Sequence, residues 1–409
     1  MYKKIEEKED KNFSPFSQTF LATFFLNKKL FPWTELELSK LDQELLSLEK
    51  SLIGVDVEKG LIDRNELLIS YAISKAENSS LTLLEAKELR HHLIENPEYN
   101  FLQEKLKQKK GLNKKDYEEL EFFNIIKVFR KYSDCHLSLQ DFSAKLVLDL
   151  HAELTVGLDL FVDYLPHFDV YKSGHWRDND SVRVASFIPA PSEQIISGVA
   201  ELLKFIKTNP GAINIAIFHS ALYALHPFCN GNKRVCRILE YLLLQACGYN
   251  AKSLYNASFY YHKHKSRYYK KLLDSLLQHN LNHFVSFLSE ALVYSITGVI
   301  KTSLEVKKKE FLKQFEIDPS LKKILRPLVK SSELQFNRLW ALNKRQPSKQ
   351  TFSNYLNLAV DKGIIERRES GRNVYYRLAG VWPESEILKS WVQNAAQRVV
   401  YIPEEFRLI

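Results

Sequence analysis

The sequence predicts a mostly α-helical protein with two or three domains. Apolar residues recur at helical spacing along most of the 409 residues, and the alternating runs typical of strands are rare. Leu, Lys and Glu are abundant, whereas the chain has only 13 Gly and 13 Pro. A chain of this length can form more than one hydrophobic core. We expect an N-terminal helical region over 1–110, a central core over 111–300 and a C-terminal domain with a tail over 301–409.

The composition argues against membrane and disulfide-rich classes. No segment reaches the roughly 20 apolar residues of a membrane span, and the charged N-terminal residues do not resemble a signal peptide. The 4 cysteines lack the CxxC spacing of zinc sites. We therefore expect a cytoplasmic protein with reduced thiols and no membrane partner.

Two helical patterns open the N-terminal region, one over 35–53 and one that starts at Arg64. The second is interrupted at Asn78 and starts again where Thr82 and Glu85 have the spacing of a capping box. We expect one helix to end near Asn78 and the next to begin after Thr82.

A short β-hairpin is predicted between two helices of the core, which cover 137–154 and 192–209. The residues between them include an alternating run that two prolines end, namely Val182, Arg183 and Val184. A lone hairpin in a helical protein has unpaired edges that can accept a peptide by β-augmentation.

The most informative stretch is Ser220 to Leu244, which reads SALYALHPFCNGNKRVCRILEYLLL. A helical apolar pattern runs in, breaks at HPFCNGNKR and resumes. The break contains turn-forming residues, and Gly231 can adopt the positive φ of a tight turn. Because the first amides of the second helix are unpaired and its dipole is positive at that end, the loop is an anion site.

The side chains around this loop suit phosphate chemistry. Arg234 and Arg237 share a helical face, Lys233 lies beside them, and arginine forks bind phosphate oxygens bidentately. His226 precedes the loop, and histidine is the side chain whose pKa best suits proton transfer near neutrality. A possible base beside a phosphate site predicts phosphoryl or nucleotidyl transfer.

The run HPFCNGNKRVCR resembles the signature of Fic domains (filamentation induced by cyclic AMP), written HxFx[D/E]GNGRxxR. Six positions match, and two differ: Asn230 replaces an acidic residue and Lys233 replaces a glycine. The matching residues are His226, Phe228, Gly231, Asn232, Arg234 and Arg237. The alternative is an ordinary helix–loop–helix with a hydrogen-bonded histidine.

The resemblance implies a Fic-type helical core with a small β-hairpin, the flap, and transfer of AMP from ATP to a Ser, Thr or Tyr hydroxyl of a protein. His226 would take the proton from the hydroxyl. The amides of 231–233 and the Asn232 side chain would hold the phosphates, and Arg234 and Arg237 would neutralise the departing pyrophosphate. Mg²⁺ would bridge phosphate oxygens.

By the same resemblance, the flap residues Val182, Arg183 and Val184 would align the target hydroxyl. The helical stretch 255–277 resembles the Fic segment near the adenine, so Tyr268 would lie close to the base. At helical spacing a core role for this tyrosine is equally open. Fic domains have a similar helix with a histidine like His151, and we expect His151 to pack or orient and not to be catalytic.

Glu77 and Asn78 resemble the end of the inhibitory motif [S/T]xxxE[G/N] of autoinhibited Fic proteins, although Ile73 replaces the Ser or Thr. The resemblance implies that Glu77 pairs with Arg237 and displaces the γ-phosphate that this arginine would hold. The alternative is a solvated glutamate near a helix end.

The two departures keep other activities open. Asn230 offers a neutral amide where a carboxylate would bind Mg²⁺, so metal binding should be weak. A lysine at the position of Lys233 resembles the signature of the death-on-curing toxins, related proteins that transfer a terminal phosphate. Those toxins lack an arginine at the place of Arg237, which favours AMP transfer here. Removal of AMP, with Glu77 positioning water, is a further possibility. A DNA-binding regulator with an inactive, nucleotide-sensing core is another.

The C-terminal region predicts a winged helix: helices over 321–330, 332–343 and 348–362, then strands over 364–368 and 374–378. Residues 316–380 contain 13 Lys and Arg against 6 Asp and Glu. These charges favour DNA as a partner. Binding to protein, or packing in a homodimer, remains an alternative. The DNA-contacting candidates are Lys349, Gln350, Ser353, Arg367, Arg368 and Arg372.

Overall fold

A computed structural model describes residues 12–52, 55–76, 78–107, 111–133, 135–164, 172–380 and 382–406. These residues are mainly helical and include one three-stranded antiparallel sheet, which confirms the predicted fold class. The chain divides into two compact units. The first comprises Met1–Lys40 and Lys59–Leu292, and the second comprises Leu41–Glu58 and Val293–Ile409.

Twelve α-helices of the described residues belong wholly or partly to the first unit. In chain order they are α1 (Glu35–Leu52), α2 (Val55–Ala76), α3 (Leu83–Glu95), α4 (Phe101–Lys107), α5 (Lys114–Ser133), α6 (Ala144–Thr155), α7 (Ile195–Thr208), α8 (Ala212–Leu225), α9 (Asn232–Ala246), α10 (Ala257–Lys263), α11 (Lys265–Leu277) and α12 (Asn282–Lys313).

Helix α8 is the buried centre of the first unit and packs against α7 and α9. Its first amides are capped from a distant part of the chain: the Glu35 carboxylate accepts from Ala212 N at 2.8 Å and from Ile213 N at 3.0 Å. A Cβ on Gly211 would lie 2.6 Å from the same carboxylate. Glycine before α8 therefore leaves room for the anion that stabilises this helix end.

Helix α2 is held against α3 and α5 by a cluster of ion pairs. Glu66 accepts from Arg90 Nε at 2.7 Å and from Arg130 Nε at 3.0 Å, and Arg90 also pairs with Asp63. The predicted capping box at Thr82 is confirmed, because Glu85 N and the Thr82 hydroxyl, and Thr82 N and the Glu85 carboxylate, are hydrogen-bonded.

The predicted strand at 182–184 is wrong, because the flap is a tight turn closed by a single bridge between Val184 and Phe187. Ala185 at the turn has a φ of 53°. In the register of this bridge the next hydrogen-bonded pair would be Val182 with Pro189, and proline has no N–H to donate to a ladder. Proline therefore stops the ladder after a single bridge.

The second unit has the element order expected of a winged helix. Its elements after α12 are α13 (Pro319–Val329), β1 (Leu334–Gln335), α14 (Phe336–Leu342), α15 (Lys349–Asp361), β2 (Ile365–Ser370), β3 (Asn373–Leu378) and α16 (Trp382–Arg398). The strands are antiparallel in the order β1–β3–β2.

One boundary in this unit differs from the prediction. The helix expected over 332–343 begins only at Phe336, because Leu334 and Gln335 pair with Tyr376 and Tyr375 of β3. Leu334 joins the buried core beneath the sheet. Tertiary pairing therefore overrides the helical pattern of this segment.

Helix α12 is long and apolar enough to cross a membrane by length and composition alone, contrary to the expectation that no segment is. However, 78% of its most apolar window is buried inside the protein. Such burial is typical of the core helix of a soluble protein.

Candidate active site

The loop between α8 and α9 presents His226 at the C-terminal end of α8. His226 has a φ of 50°, in the left-handed region, and its amide donates to Leu222 O at 3.1 Å. Gly231 has a φ of 79° and immediately precedes α9. A left-handed residue therefore stands at each end of the loop, after α8 and before α9, and the unpaired amides at the start of α9 face the loop.

The Asn232 side chain fixes the shape of this loop. Its Oδ1 accepts from Phe228 N at 3.0 Å, and its Nδ2 donates to Phe228 O at 2.7 Å. Both polar atoms of the side chain that was expected to bind phosphate are therefore hydrogen-bonded to the main chain of Phe228. The main-chain amide of Asn232 is the group of this residue that can face an anion at the start of α9. Asn230 Oδ1 likewise accepts from Gly231 N at 2.8 Å.

A stack of aromatic rings supports the loop from below. The His151 ring lies 3.8 Å from the Phe228 ring at an interplanar angle of 5°, and Trp176 stacks on Phe228 at 5.1 Å. His151 Nδ1 accepts from Gly174 N at 3.0 Å, so its Nε2 carries the proton and donates to Asn230 O at 3.1 Å. Burial lowers the pKa of His151 to about 3. His151 orients the loop in its neutral form.

Arg234 is buried and lies beside an acidic side chain of α5. Its side chain is 0% exposed, and Nη1 lies 3.2 Å from the carboxylate of Glu121 on α5, which is 1% exposed. Two such groups with no access to water stabilise each other, because each would otherwise be an uncompensated charge. Sequence reasoning missed Glu121, since nothing in the local pattern of α5 distinguishes it from a surface glutamate.

Arg237 is buried beside the last turns of α2. Its Nη1 donates to Ala72 O at 3.1 Å, and its guanidinium lies 4.5 Å from the centre of the Tyr268 ring. Tyr268 is itself fully buried, and burial raises its pKa to about 12. Tyr268 therefore packs against Arg237. The neighbouring Tyr269, and not Tyr268, lines the cavity.

These elements enclose a cavity of about 380 Å³. Its polar wall is formed by His226, the loop, Lys233 and Arg183, and its apolar wall by Tyr223, Val184, Ala185 and three leucines of α11. The Lys233 ammonium lies 5.3 Å from the centre of the Tyr269 ring. A cationic loop facing an apolar wall suits a ligand with a polyanionic end and an aromatic or aliphatic end.

Residues 141–244 match the family model described as Fic, the Fic/DOC family. The chain contains a Fic domain. The matched segment runs from α6 through the flap to α9 and therefore includes the histidine, the loop and the turn that line the cavity.

Solved structures similar to the chain are also Fic proteins. A Fic family protein from Desulfovibrio desulfuricans G20 is 19% identical, covers 86% of this chain and 98% of its own, and has a TM-score of 0.47. A fragment of Fic-1 from C. elegans is 18% identical over 67% of this chain and 71% of its own, with a TM-score of 0.47. A Fic domain containing signaling protein from Bacteroides thetaiotaomicron VPI-5482 is 18% identical, covers 64% and 96%, and has a TM-score of 0.45. A search of curated proteins found no match.

The Fic domain brings together part of the predicted site. His226, Arg183, Val184 and the loop residues 230–233 line one cavity, whereas Val182, Arg234, Arg237 and Tyr268 are buried outside its lining. Of the inhibitory pair, Glu77 lies outside the described residues, and Asn78 Oδ1 accepts from Lys265 Nζ at 2.6 Å.

The residues do not fit a magnesium ion held by the protein. In the part of the chain that is described, no group of three His, Cys, Asp or Glu side chains could hold a metal. The amide oxygen of Asn230 is engaged by Gly231 N. A cation at this site would have to arrive with a nucleotide, and no step is assigned to it.

Two of the DNA-contacting candidates in the second unit are paired with acids. Arg368 makes two hydrogen bonds to Glu333, at 2.9 and 2.6 Å, and Arg367 pairs with Glu369 at 2.6 Å. Arg372 is exposed at the turn between β2 and β3. On α15, Lys349 and Gln350 are exposed and Ser353 is half-buried.

Proposed function

We propose that the Fic domain transfers AMP from ATP to a hydroxyl side chain of a protein. The observation that carries the proposal is the cavity in which His226, the N-terminal amides of α9 and Lys233 lie together beside the flap turn. A proton acceptor and an anion site in one cavity, with a turn at its wall against which a target can be placed, are the parts that nucleotidyl transfer to a protein requires.

In this proposal the neutral imidazole of His226 accepts the proton of a Ser, Thr or Tyr hydroxyl. The hydroxyl oxygen then forms a bond to the α-phosphorus of ATP, and the bond to the β-phosphate oxygen breaks to release pyrophosphate. The amides at the start of α9 and the Lys233 ammonium stabilise the charge on the phosphates. The shape of the loop, and hence the direction of these amides, depends on Asn232 and His151.

The proposal includes autoinhibition by the end of α2. Arg237 already donates to the carbonyl of Ala72, one turn before the end of α2 at Ala76. Two side chains of α11 also bind this end: Tyr269 donates to Ala76 O at 2.6 Å and Lys265 donates to Lys75 O at 3.2 Å. These contacts support a role in which Glu77, the next residue, competes with a γ-phosphate for Arg237.

The test compares the native chain with Glu77→Gly and Glu77→Gly/His226→Ala, each with ATP labelled at the α- or the γ-phosphate, with and without cell lysate. A matched control is Glu98→Gly, which changes an exposed turn residue. Incorporation of α-label that rises with Glu77→Gly and disappears with His226→Ala supports AMP transfer and the brake. Label from the γ-phosphate alone would make the protein a kinase, and release of AMP from a modified protein would make it a de-AMPylase.

A second proposed function is DNA binding by the second unit. The specific observation is that Arg372 and the N-terminal residues of α15 are exposed, and among the described residues Arg372 has no ion-pair partner. Cations at the turn of a hairpin and at the start of an exposed helix can contact phosphates. Arg372→Ala should then reduce the salt dependence of DNA affinity, whereas unchanged binding would remove the turn from the interface. An inactive Fic domain with specific DNA binding would make the chain a nucleotide-sensing regulator.

A further inference from the structure

Arg177 is a buried arginine outside the cavity lining whose contacts converge on the catalytic loop. Its side chain is 1% exposed. Nε donates to His226 O at 2.7 Å, and Nη2 donates to Leu225 O at 3.3 Å. Its own amide donates to Pro227 O at 2.9 Å. Three successive carbonyls at the end of α8 therefore accept from one residue.

These contacts complete the C-terminal end of α8. The last carbonyls of a helix have no partner within the helix, and a cation is favourable at that end of the dipole. Arg177 supplies donors and charge together; burial lowers the pKa of its guanidinium, and the exposed carboxylate of Asp180 opposes part of this shift. The left-handed conformation of His226 is thus held by a side chain from the flap region.

The same guanidinium binds both stems of the flap. Nη1 donates to Asn179 O at 2.6 Å and to Asp180 Oδ1 at 3.1 Å, and Nη2 also donates to Ala190 O. Asp180 Oδ1 in turn accepts from Ser192 N at 2.7 Å, at the other stem. The turn between these stems lines the cavity opposite the loop. The main chain of His226 and both stems of the flap are therefore hydrogen-bonded to one planar guanidinium group.

We propose that Arg177 is a positioning residue that sets the distance between His226 and the flap turn, and so aligns the acceptor hydroxyl with its base. The inference rests on the proposed function. Because Arg177 contacts neither the amides of α9 nor Lys233, its effect falls on transfer and not on nucleotide binding. Misplacement of about 1 Å between base and acceptor costs on the order of 100-fold in rate.

The test places Arg177→Lys and Arg177→Met in the Glu77→Gly background. Lysine keeps the charge but cannot reach both flap stems and α8 at once, because it lacks the planar fork. We expect both variants to bind ATP with the affinity of the parent, by calorimetry, and to lower kcat for incorporation of α-label by about 100-fold. The matched control is Lys172→Met, which removes an exposed pair with Asp178 and should change neither value.

A second readout does not depend on activity. Hydrogen exchange should show that the amides of Val184 and Phe187, which close the flap turn, lose protection in Arg177→Met, whereas the amides of α9 keep theirs. Unchanged kcat and unchanged flap exchange overturn the inference. So does an equal loss of nucleotide affinity and transfer, because it would mean that Arg177 supports only the folding of the domain.

The two proposals fail in different ways. If the Glu77→Gly parent transfers no AMP, the proposed function fails, and the exchange measurement alone decides whether Arg177 couples α8 to the flap. If Arg177→Met does not fold, Arg177→Lys provides both measurements.

Discussion

The hydroxyl of Tyr269 donates a 2.6 Å hydrogen bond to the carbonyl oxygen of Ala76, the last residue of α2. The same ring lines the cavity and lies 5.3 Å from the Lys233 ammonium. One side chain therefore contacts both the proposed phosphate site and the end of the proposed inhibitory helix. A ligand that moves the Tyr269 ring would weaken the hydrogen bond to Ala76 at the end of α2.

Tyr269→Phe should loosen the end of α2. The variant loses one hydrogen bond to a carbonyl in the last turn of α2, which no amide of that helix can reach, a change of about 1 kcal/mol. We expect faster hydrogen exchange over the last turn of α2 and about a 5-fold rise in AMP transfer by the otherwise native chain. Tyr260→Phe, which removes a hydroxyl bonded to Glu290, is the control and should leave both measurements unchanged. Lower activity with unchanged exchange would contradict this role of Tyr269.

Asn232→Ala should open the loop between α8 and α9. The variant leaves the amide and the carbonyl of Phe228 without their partners in a buried position, at a cost of about 1–3 kcal/mol. The amides at the start of α9 would then no longer be fixed for an anion. We expect weaker ATP binding by calorimetry, together with a lower midpoint of urea unfolding. A variant that lost nucleotide affinity at unchanged stability would show instead that the side chain binds phosphate directly.

The sequence predicted the parts of the site that depend on local spacing. His226, the loop and the helices on either side follow from a short run of turn residues between two apolar patterns, and the capping box at Thr82 needs only two residues. Loop conformation and helix ends are decided within a few residues, so a local pattern contains the information.

The partners of the buried cations could not be predicted in this way. Arg234 pairs with Glu121, which is more than 100 positions earlier in the chain, and Arg177 binds carbonyls of α8 that any sequence would provide. The choice between Tyr268 and Tyr269 at the cavity wall depends on a helix rotation of 100° per residue, which α11 settles only by packing. The short strand β1 likewise exists because β3 lies beside it.

His151 should make the stability of the first unit depend on pH. Its pKa in the folded protein is about 3, below the ordinary value of 6.5, so the unfolded chain binds a proton that the folded chain does not. Stability is therefore complete above pH 6.5 and falls as the pH drops from there toward 3. The loss reaches about 2 kcal/mol at pH 5.

The measurement is urea unfolding at pH 7, 6 and 5 for the native chain and for His151→Gln. Glutamine can donate to Asn230 O and accept from Gly174 N but does not titrate. The variant should therefore lose less stability between pH 7 and pH 5, by about 2 kcal/mol. Parallel pH dependence in the two proteins would mean that another group dominates.

Variants of Arg234 test whether this arginine has a structural role or binds phosphate. Removing one partner of a buried ion pair leaves an uncompensated charge and costs about 3–5 kcal/mol. We expect Arg234→Met to destabilise the protein by about this amount, and Arg234→Met/Glu121→Leu to recover most of it, since an apolar pair of similar size replaces both charges. Urea unfolding of the two variants and the native chain gives the comparison.

The control is Lys145→Met, which breaks the exposed pair between Lys145 and Asp149, where the lysine side chain is 81% exposed. Surface pairs of this kind contribute about 0–1 kcal/mol, so the variant should unfold close to the native midpoint. The decisive outcome is ATP affinity in the stable double variant. If it matches that of the native chain, Arg234 acts through Glu121 alone. A large loss of affinity at restored stability would place the guanidinium on the nucleotide, which would require the pair with Glu121 to break when ATP binds.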